Sequence, residues 1–275
     1  MILRYELHGV RFAIEAARET AEQIADFVLP SCRTARHEQR PHAAFAVRDD
    51  DDRLAVRRGR RVLWHAADAE ELVPWLEGEV VRWLLGRLRG YGQIHAAAVE
   101  RDGRAIVLAG GPDSGKTSLA CAFGLAGWGV MSDEVALVEA DGRHVRSFPR
   151  MMFVEDETAR RLPELATHPR RRIPVAGGTA TVRPVSPAGL GPGPRARATV
   201  AGLVFVQRGG PVRCAPLSER HAIELLLPLS FSAAERPRRT LDVCLAMVRS
   251  APAWEMKAGR LAAAVELVSG RLRGA

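Results

Sequence analysis

The residues Gly110-Gly111-Pro112-Asp113-Ser114-Gly115-Lys116-Thr117 match G-x-x-x-x-G-K-[ST], a pattern whose chemistry is the cradling of a polyphosphate. Glycines let the backbone fold around the anion with its N–H groups turned inward, and a helix opening at Lys116, with Ser118 in its first turn, presents the positive end of its dipole. Lys116 would reach the β- and γ-phosphates, and the Thr117 hydroxyl would ligate Mg²⁺. A chance match is conceivable in a chain with 25 glycines, but here the pattern follows the apolar run IVLA and precedes an amphipathic helix. Lysine occurs only at Lys116 and Lys257, the remaining 38 of 40 cationic residues being arginine. A lysine kept where arginine is the habit marks a position that needs a compact ammonium. Residues 110–118 therefore read as a nucleotide-binding segment.

Two further features lie close by in sequence. Asp133 and Glu134 end the apolar run GVMS, and strand ends are where α/β sites form. One carboxylate there can hold Mg²⁺ while the other takes a proton from an incoming hydroxyl, the division of labour phosphoryl transfer needs. A solvated loop is the plainer alternative. His95 sits on the strand ahead of the loop, either as a satisfied core histidine or, if its strand pairs with the next, as a catalytic or orienting group. Arg150 follows closely enough to offer a cation to phosphates. Arg170–Arg172 reads as a solvated run or as part of a loop that closes over the site.

These residues must be positioned by regular elements. Residues 93–100 and 104–109 read as two strands joined at Asp102-Gly103, followed by a helix over 116–126 stopped by Gly127, a strand over 128–132 and another over 135–138. In a parallel pair of strands joined by that helix, Asp133 emerges on the same edge as the glycine-rich loop. The stretch 167–198, with Gly177, Gly178, Pro184, Pro187, Gly189 and Gly191 among its breakers, reads as mostly loop. Strands return over 200–206 and 212–214 and near Trp254, with helices near 218–227, 239–248 and 261–268. The first ninety residues read as an α+β module of short strands and two helices. Asp49–Asp52 looks like a hairpin turn, since four adjacent carboxylates need solvent. Leu72, Trp75, Leu76, Val80, Trp83 and Leu84 at helical spacing read as a core stripe on a helix capped by Asp68 and Glu71. The reading is an α/β chain, α+β overall, with a module over residues 1–90, a candidate for substrate recognition, and a catalytic domain over 91–275.

Composition narrows the class. With 47% hydrophobic and 26% charged residues the chain is an ordinary globular one, neither disordered nor fibrous. The net charge of +8 favours anionic partners, but a coding habit for arginine accounts for it better than a nucleic-acid surface does. Cys32, Cys121, Cys214 and Cys244 have neither zinc spacing nor a dense framework, which fits a reducing cytoplasm. Glu6 and His8 come too early for a signal peptide, and no apolar run approaches the roughly 18 residues of a membrane span.

The string IHAAAVERDGRAIVLAGGPDSGKTSLACAFGLAGWGVMSDE resembles the catalytic core of the HPr kinase/phosphorylase family and its HPr-kinase-related branches. A strand histidine, a hairpin, a phosphate loop, a helix ending in glycine and a strand ending in an acidic pair recur there in that order. The resemblance covers about residues 93 to 150. It implies a P-loop kinase core of the HPr kinase type, using ATP and Mg²⁺ to phosphorylate a hydroxyl, usually a serine of a protein or peptide. Carried over by motif, Gly110 to Thr117 bind the triphosphate, Asp133 is the base, and Glu134 and His95 assist, with Thr117, Asp133 and Glu134 as the metal's candidate ligands. Bifunctional members carry two aspartates where this chain has Asp-Glu, and their C-terminal signature loop is missing here, which argues against the reverse, phosphate-removing reaction. The first ninety residues do not resemble those enzymes' N-terminal domain and so do not point to HPr as acceptor. Related branches act on ribosomally made precursor peptides, lasso peptides among them, and family members are often homo-oligomers. A small-molecule kinase and a non-catalytic ATP-binding regulatory module stay open as alternatives, whereas an NTPase motor lacks an arginine-finger context.

Overall fold

A computed structural model describes residues 1–35, 39–175, 178–231 and 233–273, and the chain divides into two compact units. One comprises Met1–Arg89 with Thr167–Pro184, the other Gly90–Ala166 with Val185–Ala275. Among the described residues no helix is long and apolar enough to cross a membrane.

In the first unit, strands β1 (Ile2–Leu7), β2 (Val10–Glu15), β3 (Ala43–Asp50), β4 (Arg53–Arg58) and β5 (Arg61–Ala66) form one sheet in sequence order. Only β2 and β3 pair in parallel, the crossover between them carrying helix α1 (Arg18–Phe27). Asp51, with φ of 55°, and Asp52 form the turn between β3 and β4, a left-handed position that aspartate tolerates better than most residues. Helix α2 (Ala69–Arg87) starts at Asp68, whose carboxylate accepts from Glu71 N at 2.9 Å, while the Glu71 carboxylate reaches back to Ala67 N at 2.7 Å. Leu72, Leu76, Val80 and Leu84 are buried, but Trp75 and Trp83 are only half-buried and edge the stripe. Trp75 stacks on Trp64, and Trp83 meets Phe12 and Phe45 edge-on at 5.9 and 6.0 Å.

The second unit is built on strands β6 (Gly92–Arg101), β7 (Arg104–Ala109), β8 (Gly129–Ser132), β9 (Val135–Val138) and β10 (His144–Arg146), with helix α3 (Lys116–Leu125) after β7. A short strand, β11 (Met152–Val154), leads into helix α4 (Asp156–Arg161). The chain then leaves for a hairpin of the first unit, β12 (Arg171–Val175) and β13 (Gly178–Val185), before returning as β14 (Arg197–Gln207), β15 (Arg213–Pro216), α5 (Glu219–Leu226), α6 (Pro237–Ser250), β16 (Ala253–Lys257) and α7 (Leu261–Arg273). The sheet order is β10-β9-β6-β7-β14-β16-β15, with β8 also on β6 and β10 also on β14. Period-two alternation gives each strand two apolar faces. Val99, Ile106, Leu108 and Val204 pack with α3 and α7, while Ala98, Val107, Leu203 and Phe205 pack with α5 and α6.

Two expectations need correction. The stretch 167–198 is not mostly loop, because β12 and β13 pair antiparallel from Arg171↔Val182 to Val175↔Gly178. Pro174 lies within β12 and Gly178 and Pro184 within β13, so the pairing accommodates these breakers, the remaining prolines and glycines from Pro187 to Pro194 follow the hairpin, and Gly177 lies outside the described residues. That hairpin also groups with the first unit, so the residues after 90 do not form a single domain, and Arg171 and Arg172 are strand residues rather than part of a closing loop.

The α2 cap carries a measurable share of stability. Asp68→Ala, which orphans the Glu71 N–H, should cost about 1 kcal/mol, read as a lower denaturant midpoint with an unchanged slope. Asp68→Asn should retain most of it.

Candidate active site

Strand pairing decides which residues meet. β6 is antiparallel to β7 on one side, with Ala96 opposite Ala109, and antiparallel to β8 and β9 on the other, with Ala98 opposite Ser132 and His95 opposite Val135. The ends of β7 and β8 therefore emerge at one edge of the sheet, level with His95. Gly110, His95 and the Asp133-Glu134 pair are brought together there, although β7 and β8 are not direct neighbours as a simple parallel pair would be. Strand β14 runs parallel to β7 on its far side, Phe205 opposite Ala109, so Arg208 comes out at the same edge.

The loop has a local reason for its glycines. Gly115 has φ of 95°, in the left-handed region, and a Cβ on Gly110 would lie 2.8 Å from the Val206 carbonyl oxygen. Helix α3 begins without a side-chain cap, which leaves its first N–H groups to the loop side. Lys116 Nζ donates to the carbonyls of Gly110 and Gly111 at 2.9 and 2.8 Å. Burial draws its pKa below the ordinary lysine value, against the opposing pull of Asp133, Glu134 and Asp113. A cavity of about 110 Å³ adjoins the loop, its lining including Asp113, Lys116, Thr117, Phe153, Glu157 and Arg208.

The two carboxylates sit in different surroundings. Asp133 is buried, and its Oδ1 has no hydrogen-bond partner. Burial pushes its pKa up to about 6, with Glu134 adding to the rise, while a hydrogen bond from Thr117 and the charges of Arg150 and Lys116 act the other way. Glu134 is about half exposed and ion-paired with the buried Arg150, whose guanidinium lies over the Phe153 ring at 5.4 Å. His95 is half-buried, 5.7 Å from the ring of the exposed Phe231. Burial, reinforced by the Lys116 cation and opposed by Glu134, lowers its pKa, so the imidazole is neutral at pH 7. The Ser118 hydroxyl faces Thr158 Oγ1 at 2.6 Å in the interior and is committed there. The buried Ser114 Oγ has no partner, and Gly111, Pro112 and Asp113 complete the loop, Asp113 with φ of 56°.

Arg208, Glu157, Phe153 and Phe231 were not singled out by sequence reasoning. Arg208 is ion-paired with Glu157 beside the cavity. The usable signal was its position just past a long apolar strand, but without the pairing of β14 to β7 nothing marked that strand's end as part of this edge. Glu139, Asp141 and His144 bring potential ligand atoms within 4.8 Å of one another. Glu139 is nevertheless engaged by Arg197 twice at 2.9 Å and by Arg146 at 2.6 Å, which makes the group an ion network tying β9, β10 and β14. No protein-family model matches the chain, and no curated protein matches it.

The raised pKa of Asp133 sets a pH dependence of stability. Because the native protein holds this proton more tightly than the unfolded chain, the resulting stabilisation is complete below the ordinary value of 3.8 and is lost as pH climbs through about 6. At neutral pH the buried charge is a cost. Asp133→Asn should therefore be more stable than the parent at neutral pH by roughly 2 kcal/mol, the advantage shrinking as pH falls from 6 towards 4. Melting temperatures across that range check it.

Proposed function

We propose that the protein is an ATP- and Mg²⁺-dependent kinase with a P-loop core, passing the γ-phosphate to a serine hydroxyl of a peptide or protein. The observation that carries this reading is the Asp133 carboxyl, buried against Thr117 at the edge that also bears the glycine-rich loop, with one oxygen unsatisfied. A buried acceptor without a partner is costly, so its persistence at a strand end points to a partner that arrives with substrate.

The residues fit the groups the reading requires. Thr117 and Asp133 are hard oxygen donors of the kind Mg²⁺ takes, and the unpartnered Oδ1 faces no competing donor. Bound there, the cation would neutralise charge on the polyphosphate. The loop's N–H groups and Lys116 would bind the phosphates, Lys116 exchanging the Gly110 and Gly111 carbonyls for phosphate oxygens. The base role falls to Asp133 by position, as the buried carboxylate at the strand end beside Thr117 and Lys116, where its second oxygen would take the proton of an acceptor hydroxyl while the first held the cation. Glu134 acts through its pairing with Arg150, which holds a buried cation beside Asp133 and limits how far its pKa rises. The neutral His95 and the exposed Phe231 form the side of the site on which an acceptor segment would lie.

The test is incubation with γ-labelled ATP, Mg²⁺ and an extract of the protein's own host. Label should move to a peptide or protein, Lys116→Ala should abolish the transfer, and Asp133→Asn should keep nucleotide binding while losing transfer by at least about a hundredfold. Normal turnover by Asp133→Asn, or label found only on ATP or inorganic phosphate, would overturn the assignment.

A further inference from the structure

The first unit carries a separation of charge that its own fold does not need. Residues 1–89 contain 15 arginines and 15 carboxylates, and the unit's second segment, 167–184, adds four arginines and no carboxylate, so the unit is net basic although residues 1–89 balance. Leu54 pairs with Ala66 just ahead of the α2 cap, which puts the β3–β4 turn and the start of α2 at one end of the sheet. That end holds Asp49, Asp51, Asp52, Asp68, Glu70 and Glu71. The opposite end, formed by the β4–β5 turn and the last turns of α2, holds Arg58, Arg60, Arg61, Arg82 and Arg87. Arginines at a helix C-terminus complement its dipole, but that accounts for Arg87 and leaves the turn arginines unexplained.

At this basic end lies a shallow groove of about 680 Å³, lined by His42, Arg58, Arg82, Trp83 and Arg87 with the backbone of Gly59 and Gly86. Arg87 lies over the Trp83 ring at 5.6 Å and Arg58 over Phe45 at 5.9 Å. A guanidinium stacked on a ring keeps its N–H edge available for a carboxylate. Glu79 supplies the groove's counter-charge, paired with Arg82 and lying 3.7 Å from Arg58, and one carboxylate cannot neutralise three cations.

We propose that this groove docks an acidic segment of a polypeptide, and, resting on the kinase reading above, that the segment belongs to the phosphate acceptor. A short run of Asp or Glu matches the local cations and leaves the opposite, carboxylate-rich end untouched. A polynucleotide carries charge at every step and would be repelled where it ran on to that end.

The probe is a fluorescein-labelled peptide of alternating Glu and Gly, followed by anisotropy on the full chain without nucleotide. Parent and Lys116→Ala should bind it alike, with affinity falling as salt rises, whereas Arg82→Glu/Arg87→Glu should weaken it by about tenfold or more. The Arg82 side chain is 73% exposed, and matching melting curves verify that the variant is folded. The reversal Arg18→Glu/Arg220→Glu, at side chains 87% and 90% exposed on α1 and α5, changes net charge equally and should leave binding intact. Equal binding of a Gln-for-Glu peptide, tighter binding of an oligouridylate of matching charge, or indifference to the Arg82/Arg87 reversal would each overturn the assignment. Because nucleotide is absent, binding by Lys116→Ala supports the groove even where the labelled-ATP experiment fails.

Discussion

The antiparallel pairing of β6 with β7 on one side and with β8 and β9 on the other is the constraint from which the rest of the candidate site follows. A strand flanked in this way forces its two neighbours to run in the same direction, so the loop after β7 and the acidic pair after β8 must leave the sheet at one edge. The register then levels His95 with both. Small side chains make the arrangement compact, since Ala96, Ala97 and Ala98 pass through the centre of the sheet with packed layers on either face. The parallel partner β14 adds a third strand end and brings Arg208 to the same place.

That edge concentrates charge in a partly dry setting. Lys116, Asp133, Glu134, Arg150 and His95 all feel one another, and burial dominates the shifts of the three whose titration is displaced. Burial favours the neutral forms of the aspartate, the lysine and the histidine alike, while neighbouring charges restore part of the ionised state. Without Arg150 and Lys116 the Asp133 carboxyl would climb further. The ion pair of Glu134 with Arg150 thus keeps a cation close to Asp133 without taking up its free oxygen. The Glu139 network shows the contrasting case, in which both Glu139 oxygens meet guanidinium groups and the Asp141 oxygens meet the Arg143 N–H and the His144 ring.

The first unit is organised differently. Its aromatic cluster of Tyr5, Phe12, Phe45 and Trp83 ties the sheet to α2, and the helix then runs from an acidic to a basic end. Helix capping explains the carboxylates at its start, and dipole complementarity explains a cation at its finish. At the adjoining turn Arg58 lies over Phe45 and near Glu79, and neither capping nor the helix dipole accounts for Arg60 and Arg61 beside it.

The sequence by itself determined the local features. G-x-x-x-x-G-K-T is readable because its glycines meet a backbone requirement that few other residues satisfy, and the turns at Asp51-Asp52 and Asp102-Gly103 and the cap at Asp68 are equally local in origin. Short apolar runs bounded by turn residues marked β6, β7 and β14 as strands. The missed hairpin β12–β13 shows the limit of such reading, because glycine and proline counts register breakers without saying where a register absorbs them. Pairing order, strand direction and burial belong to the tertiary structure alone, since they depend on contacts between residues distant in the chain. Those contacts decided that β6 separates β7 from β8, that Asp133 is buried and Glu134 paired, that Ser118 turns to the interior, and that Arg208 shares the edge.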